Sequence, residues 1–378
     1  MDTDTWEKAD LYDPDDPGAD GRRALLEYLT ARGATLDQMT EAHRLGRLPA
    51  VAGDLARGPK PATLSVEAAA TRSSVPVERI LRVLLAAGLP VTSDSQLPED
   101  VIALMEAFEQ GAVLMGEEAI LAFTRVLGAA ASTIAEAAVA LFNAELGPGS
   151  DRNGSDELAR AKASEAATAS FTSVPEVLSR VLLIQFDRAT QRVPMTRGWS
   201  APAHQTGGEE ARRSGEFVAL GFVDLVGSTR WAERLSLREH SLALSRFESA
   251  AWSSAVLSGG RVVKMIGDEV FFTAPSVDAA CRIGIEVCQA AAADSLLPPA
   301  RGAVGEGAVT PREGDYFGPL VNLVSRLAKV AAPGTLVVTE EAAGALSTDR
   351  WTLRKIDQVA VRDIDRQIRV FAVSSAAE

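Results

Sequence analysis

The chain has 378 residues, 47% hydrophobic and 24% charged, and Asp plus Glu outnumber Lys plus Arg by 51 to 38, for a formal net charge of −13. That length exceeds one ordinary core and predicts two domains, and the hydrophobic share excludes disorder as the general state. The acidic balance argues against a nucleic-acid footprint, which needs a basic face, yet it leaves room for a phosphate ligand in a local cationic pocket.

In chain order, residues 1–20 are rich in Asp and Pro and predict an acidic, disordered leader. This stretch lacks the basic and apolar regions of a signal peptide, and no uncharged apolar run reaches the length of a membrane span. The expectation is a cytoplasmic protein with no membrane span. Residues 21–197 read as an all-helical domain: apolar side chains recur at three- and four-residue spacing, with Gly or Pro between segments such as PVERILRVLLAAGLP and GEEAILAFTRVLGAAASTIAEAAVALFNAEL. The stretch from Thr63 to Pro90 resembles helix, turn and helix. An ordinary helical hairpin is the preferred reading over DNA binding, because the second helix is too apolar to face a groove. The small-residue face of the long helix fits helix-to-helix packing, across a dimer or within one chain.

Residues 198–215 are Pro-, Gly- and Ser-rich and polar, which marks a linker. From residue 216 the pattern changes to strands alternating with helices: EFVALGFVDLVG, a helical stretch, the hairpin GRVVKMIGDEVFFTA, a helix, RGAVGEGAVTP, the helix GPLVNLVSRLAKVA, and the strands TLVVTE and IRVFAV. This predicts a sheet with helices packed on it. Cys281 and Cys288, seven apart on a predicted helix, read as buried small hydrophobes rather than as a disulfide or metal site.

Asp224 ends an apolar strand just before Gly227-Ser228-Thr229 and a helix start, and Asp268 sits on the tip of the hairpin. A carboxylate beside a helix N-terminus can bring a hard metal ion to a bound anion, and a second carboxylate on a neighbouring strand would share that ion. Asn322 and Arg326, four apart, fall on one helix face; an amide beside a guanidinium suits a ribose and a charged phosphoryl group. Read singly, each of these residues is also an ordinary turn, cap or solvated-face residue.

The segments FVDLVGST, VVKMIGDEVFF and GDYFGPLVNLVSRL, in this order and spacing, resemble the catalytic domain of class III nucleotidyl cyclases over residues 216–378. The resemblance implies a two-domain protein whose C-terminal half is an α+β, ferredoxin-like domain pairing head to tail in a homodimer. It implies that Asp224 and Asp268, helped by the Leu225 carbonyl, bind two Mg²⁺ or Mn²⁺ ions, and that Asn322 and Arg326 orient the ribose and stabilise the transition state. Lys264 and Asp315 match the adenine-selecting pair, so the implied substrate is ATP and the product 3′,5′-cyclic AMP with pyrophosphate. Lys264 and Asp268 would then serve different nucleotides, each site being completed by the second chain. Val324 stands where the family commonly has alanine, and the family's triphosphate-binding lysine aligns by eye with Ile364, leaving Arg362 and Arg366 as candidates.

The helical half, most clearly ALLEYLTARGATLDQMTEAHRLGRLPAV, resembles the regulatory domain of soluble actinobacterial adenylate cyclases, some of them pH-responsive. Either a regulator that holds the catalytic domains apart or a passive dimerisation platform fits it. Among His43, His204 and His240, the linker residue His204 is the candidate proton switch. A non-catalytic ATP-binding sensor built on a cyclase fold is the alternative to an enzyme.

Overall fold

A computed structural model describes residues 1–58, 62–146, 157–192, 216–359 and 367–376. The chain divides into two units, Met1–Val193 and Pro194–Glu378. The linker expected at 198–215, with His204, and the candidates Arg362, Ile364 and Arg366 lie outside the described residues.

The first unit runs α1 (Thr3–Lys8), α2 (Ala19–Ala31), α3 (Leu36–Arg44), α4 (Val51–Ala56), β1 (Thr63–Ser65), α5 (Val66–Ser73), α6 (Val77–Ala86), β2 (Gln96–Pro98), α7 (Val101–Met115), α8 (Glu117–Leu146), α9 (Glu157–Phe171) and α10 (Val174–Arg192). Two apolar clusters hold it together. One joins α1 to α4 with α9 around Leu25, Leu26, Leu29 and Met39, and the other joins α5 to α8 around Ile80, Leu84 and Met105.

The expected leader is not disordered. Asp2 caps α1, accepting from the Thr5 N–H at 3.1 Å, and Trp6 and Leu11 are buried in the first cluster. Two large apolar side chains among the acidic residues suffice to tie the segment down. Nor is this unit purely helical: β1 pairs antiparallel with β2, placing Leu64 opposite Leu97 in the second cluster. The helix-turn-helix pair is α5 and α6. Two of its arginines pair with the unit's own acids, Arg79 with Glu109 at 2.7 Å and Arg82 with Glu117 at 2.8 Å. Residues Glu117–Leu141 of α8 are long and apolar enough to cross a membrane by length and composition alone, although charges at Glu117, Glu118, Arg125 and Glu136 interrupt the run.

The second unit runs β3 (Glu216–Leu225), α11 (Ser228–Ala232), α12 (Leu237–Leu257), β4 (Arg261–Ile266), β5 (Glu269–Ala274), α13 (Val277–Ala293), β6 (Ala300–Arg312), β7 (Asp315–Phe317), α14 (Pro319–Val330), β8 (Leu336–Thr339), α15 (Glu340–Gly344), β9 (Trp351–Val359) and β10 (Ile368–Ser375). The strands form one eight-stranded sheet in the order β4-β5-β3-β6-β8-β10-β9, with β7 paired to the far end of β6. All neighbours are antiparallel except β6 and β8.

Alternation along β3 divides its side chains between two layers. Ala219, Val223 and Leu225 face α12 and α13, whereas Leu220 and Phe222 face α14. Asp224, two residues after Phe222, therefore falls on the α14 side. Cys281 and Cys288 are buried on α13, and burial pushes both thiols up to about 12, as expected for core residues.

Candidate active site

The register of the central strands sets three charged residues in one row across the sheet. Asp224 of β3 lies opposite Glu269 of β5 on one side and Arg301 of β6 on the other. All three share the α14 face, because Asp224 follows Phe222 in alternation, Glu269 precedes Phe271 and Arg301 precedes Ala303, and those partners belong to the core under α14. Asp268 sits in the two-residue turn between β4 and β5, where Gly267 adopts a left-handed φ of 65° that a tight hairpin requires. Its carbonyl accepts from the Leu225 N–H at 3.2 Å, which brings the turn against the end of β3. Asp224, Leu225 and Asp268 are thus brought together.

Asp224 is 8% exposed, and Arg301 Nη2 donates to its Oδ2 at 3.2 Å. Burial nonetheless pushes its carboxyl above the usual range; the Arg301 hydrogen bond only partly offsets this, and the Asp268 charge adds to the rise. Among the described residues, the Nε of Arg301 is buried without a hydrogen-bond partner. Asp224 and Asp268 are therefore two neighbouring carboxylates whose charge the Arg301 hydrogen bond only partly offsets. Paired hard oxygens of this kind fit Mg²⁺ or Mn²⁺ held by one or two carboxylates, with substrate phosphates completing the coordination. No cluster of three or more metal-ligating His, Cys, Asp or Glu side chains occurs among the described residues.

Helix α14 starts at Gly318-Pro319, with Pro in the first turn where its missing N–H costs nothing. Its polar positions Asn322, Ser325, Arg326 and Lys329 follow the three- and four-residue spacing of one stripe. Ser325 Oγ donates to Glu269 Oε1 at 3.2 Å, and Lys329 Nζ lies 3.1 Å from Glu269 Oε2. Burial raises the Glu269 carboxyl, with Lys329 working against it. Asn322 and Arg326 belong to the same stripe, Asn322 being exposed and Arg326 half-buried. Sequence reading missed Glu269, Ser325, Lys329 and Arg301. The spacing of Ser325 and Lys329 within the Asn322 stripe was available, but Arg301 becomes visible only once the β3–β6 register is known.

Lys264 and Asp315, 51 residues apart, meet within one chain: Nζ is 2.5 Å from Oδ2, and the two side chains are 44% and 22% exposed. Asp315 Oδ1 also accepts from the Tyr316 N–H at 2.8 Å. An ammonium and a carboxylate held side by side at an exposed rim can offer a donor and an acceptor to one ligand edge.

No protein-family model matches the chain. An uncharacterized protein of Mycobacterium tuberculosis is 28% identical over 346 residues, covering 90% of this chain and 86% of the relative. A protein of Glutamicibacter nicotianae named adenylate cyclase is 38% identical over 145 residues, covering 38% of this chain and 36% of the relative. Among solved structures, the adenylyl cyclase CyaB of P. aeruginosa aligns with a TM-score of 0.38 at 22% identity, over 43% of this chain and 95% of that one. The three linked motifs lie together in the second unit, and it is there that the chain is similar to proteins named adenylate cyclase, each matched over about a third of its own length.

Proposed function

We propose that this protein is an adenylate cyclase that converts ATP into 3′,5′-cyclic AMP and pyrophosphate. The observation that carries the reading is the adjacency of Asp224, at the end of β3, and Asp268, in the turn before β5, brought together by the bond from the Leu225 N–H to the Asp268 carbonyl. Asp224 and Asp268, with the Leu225 carbonyl, would hold two Mg²⁺ or Mn²⁺ ions, which when bound lower the cost of charge on the ribose 3′-oxygen and on the leaving pyrophosphate. Asn322 orients the ribose, Arg326 meets the charge developing on the α-phosphoryl oxygens, and Lys264 with Asp315 reads the adenine edge. The domain is read as the ferredoxin-like cyclase fold, working as a cytoplasmic head-to-tail homodimer in which each chain supplies the acids of one site and the helix of the other.

Support for pairing also comes from the N-terminal unit. Helix α8 leaves Phe123 60% and Leu141 60% exposed, and α10 leaves Leu183 63% and Phe186 64% exposed. Apolar faces of that extent mark association rather than solvent contact. We read them as a surface for a second copy, and the unit as a modulator of how the catalytic domains close.

Cyclic AMP formation from ATP with Mn²⁺ tests the assignment, comparing the full chain with its Asp268→Ala variant. Loss of product in the variant, by about a hundredfold or more, is expected for removal of a metal ligand. ATP binding without product in the unmodified chain would instead establish the sensor reading.

A further inference from the structure

Strand β4 carries one residue more than its partner. Arg261 lies opposite Thr273, Val262 opposite Phe272 and Lys264 opposite Phe271, so Val263 has no counterpart. In a regular strand, residues three apart point to opposite faces; the extra residue of a bulge returns Arg261 and Lys264 to the same one. Both then reach the β6–β7 hairpin. Lys264 meets Asp315, and Arg261 Nη2 donates to the Gly314 carbonyl, the residue immediately before it, at 3.0 Å. The Arg261 guanidinium also lies over the Tyr316 ring, 5.3 Å from its centroid, on the other side of Asp315.

The hairpin needs such an anchor. Its tip is the two-residue turn Glu313-Gly314, both left-handed at φ 53° and 81°, and β7 contributes only three residues to the ladder. A ribbon that short is marginal without external contacts. Lys264 alone attracts the Asp315 carboxylate without fixing its direction, since an ammonium is a point charge on a flexible stem, whereas the planar guanidinium holds both the backbone before Asp315 and the ring after it.

Building on the cyclase reading, we propose that Arg261 is a specificity-determining residue: it touches no nucleotide, and it positions Asp315 so that adenine is accepted over guanine. A misdirected carboxylate loses its acceptor alignment to the exocyclic amine of adenine, and with it the penalty against the carbonyl that guanine presents at that place.

The experiment measures kcat/KM for ATP and GTP with Mn²⁺ on the full chain, its Arg261→Met variant and its Arg261→Lys variant. The expected result for Arg261→Met is a fall of about tenfold in the ATP-to-GTP ratio, carried by KM for ATP while kcat at saturation stays within about twofold. Arg261→Lys, which keeps a donor and a charge, should recover part of the ratio. An equal loss for both nucleotides, or an unchanged ratio, would overturn the proposal. Should the unmodified chain form no cyclic nucleotide, the cyclase reading fails by itself. The proposal is then decided by equilibrium binding, where Arg261→Met must lower the ratio of ATP to GTP affinity and an unchanged ratio refutes it.

Discussion

Glu165 of α9 accepts from the Tyr28 hydroxyl and, at 2.6 Å, from Arg32 Nε, which also stacks its guanidinium over the Tyr28 ring. The tyrosine bond first, and the arginine after it, hold the Glu165 carboxyl below the usual carboxylate range against the opposing effect of desolvation. A carboxyl depressed in the folded state contributes stability that is present above its unfolded value, near 4.3 for glutamate, and lost as pH falls through the folded value. Glu165→Gln should therefore lower Tm at pH 7, with the deficit shrinking on acidification below about pH 4. Thermal melts of both proteins across that range check the sign. A deficit independent of pH would assign the effect to packing of α2 on α9 instead.

Packing of α14 on the sheet includes an exchange of volume between Gly305 and Val324. A Cβ on Gly305 of β6 would stand 2.6 Å from Val324 Cγ2 and 3.1 Å from Leu320 Cδ1, closer than side chains pack. Val324, where cyclases commonly carry alanine, is fully buried, so its extra methyl groups occupy the space that glycine leaves. Gly305→Ala should cost about 1–3 kcal/mol by overpacking. Val324→Ala should cost about 2 kcal/mol by leaving a void. The double variant should be more stable than the sum of the two losses allows, a coupling that denaturant titration of all four proteins measures. Strictly additive losses would refute the exchange. Elements such as α14 and β3 were legible from periodicity alone, because apolar spacing of 3.6 or 2 is a local property of the chain. The bulge at Val263, the row of Glu269, Asp224 and Arg301, and the short strand β7 were not, since each is a relation between strands distant in sequence. The same applies to Trp6, whose burial depends on a cluster assembled from α2, α3 and α9. Asp224, Asp268, Lys264 and Asp315 were legible as chemistry, and the structure adds which of them meet.

At the scale of the whole molecule, the homodimer reading makes a prediction that neither residue nor element can test. Asp268→Ala and Asn322→Ala should each be inactive, because every site in either protein lacks one of the two groups. Mixed in equal amounts and allowed to exchange, they should recover about a quarter of the unmodified activity: half of the dimers are hybrids, and each hybrid has one intact site of two. No recovery would mean that the acids and the helix serve one site within a single chain. The two cysteines give access to a different property. Both lie in the second unit, on the inner face of α13, and the N-terminal half has none. A thiol that titrates near 12 and is sealed from solvent reacts with an alkylating reagent only when its surroundings open. The labelling rate of the unmodified protein is therefore a clock for the opening of the second unit alone, readable under native conditions, while the helical half remains silent.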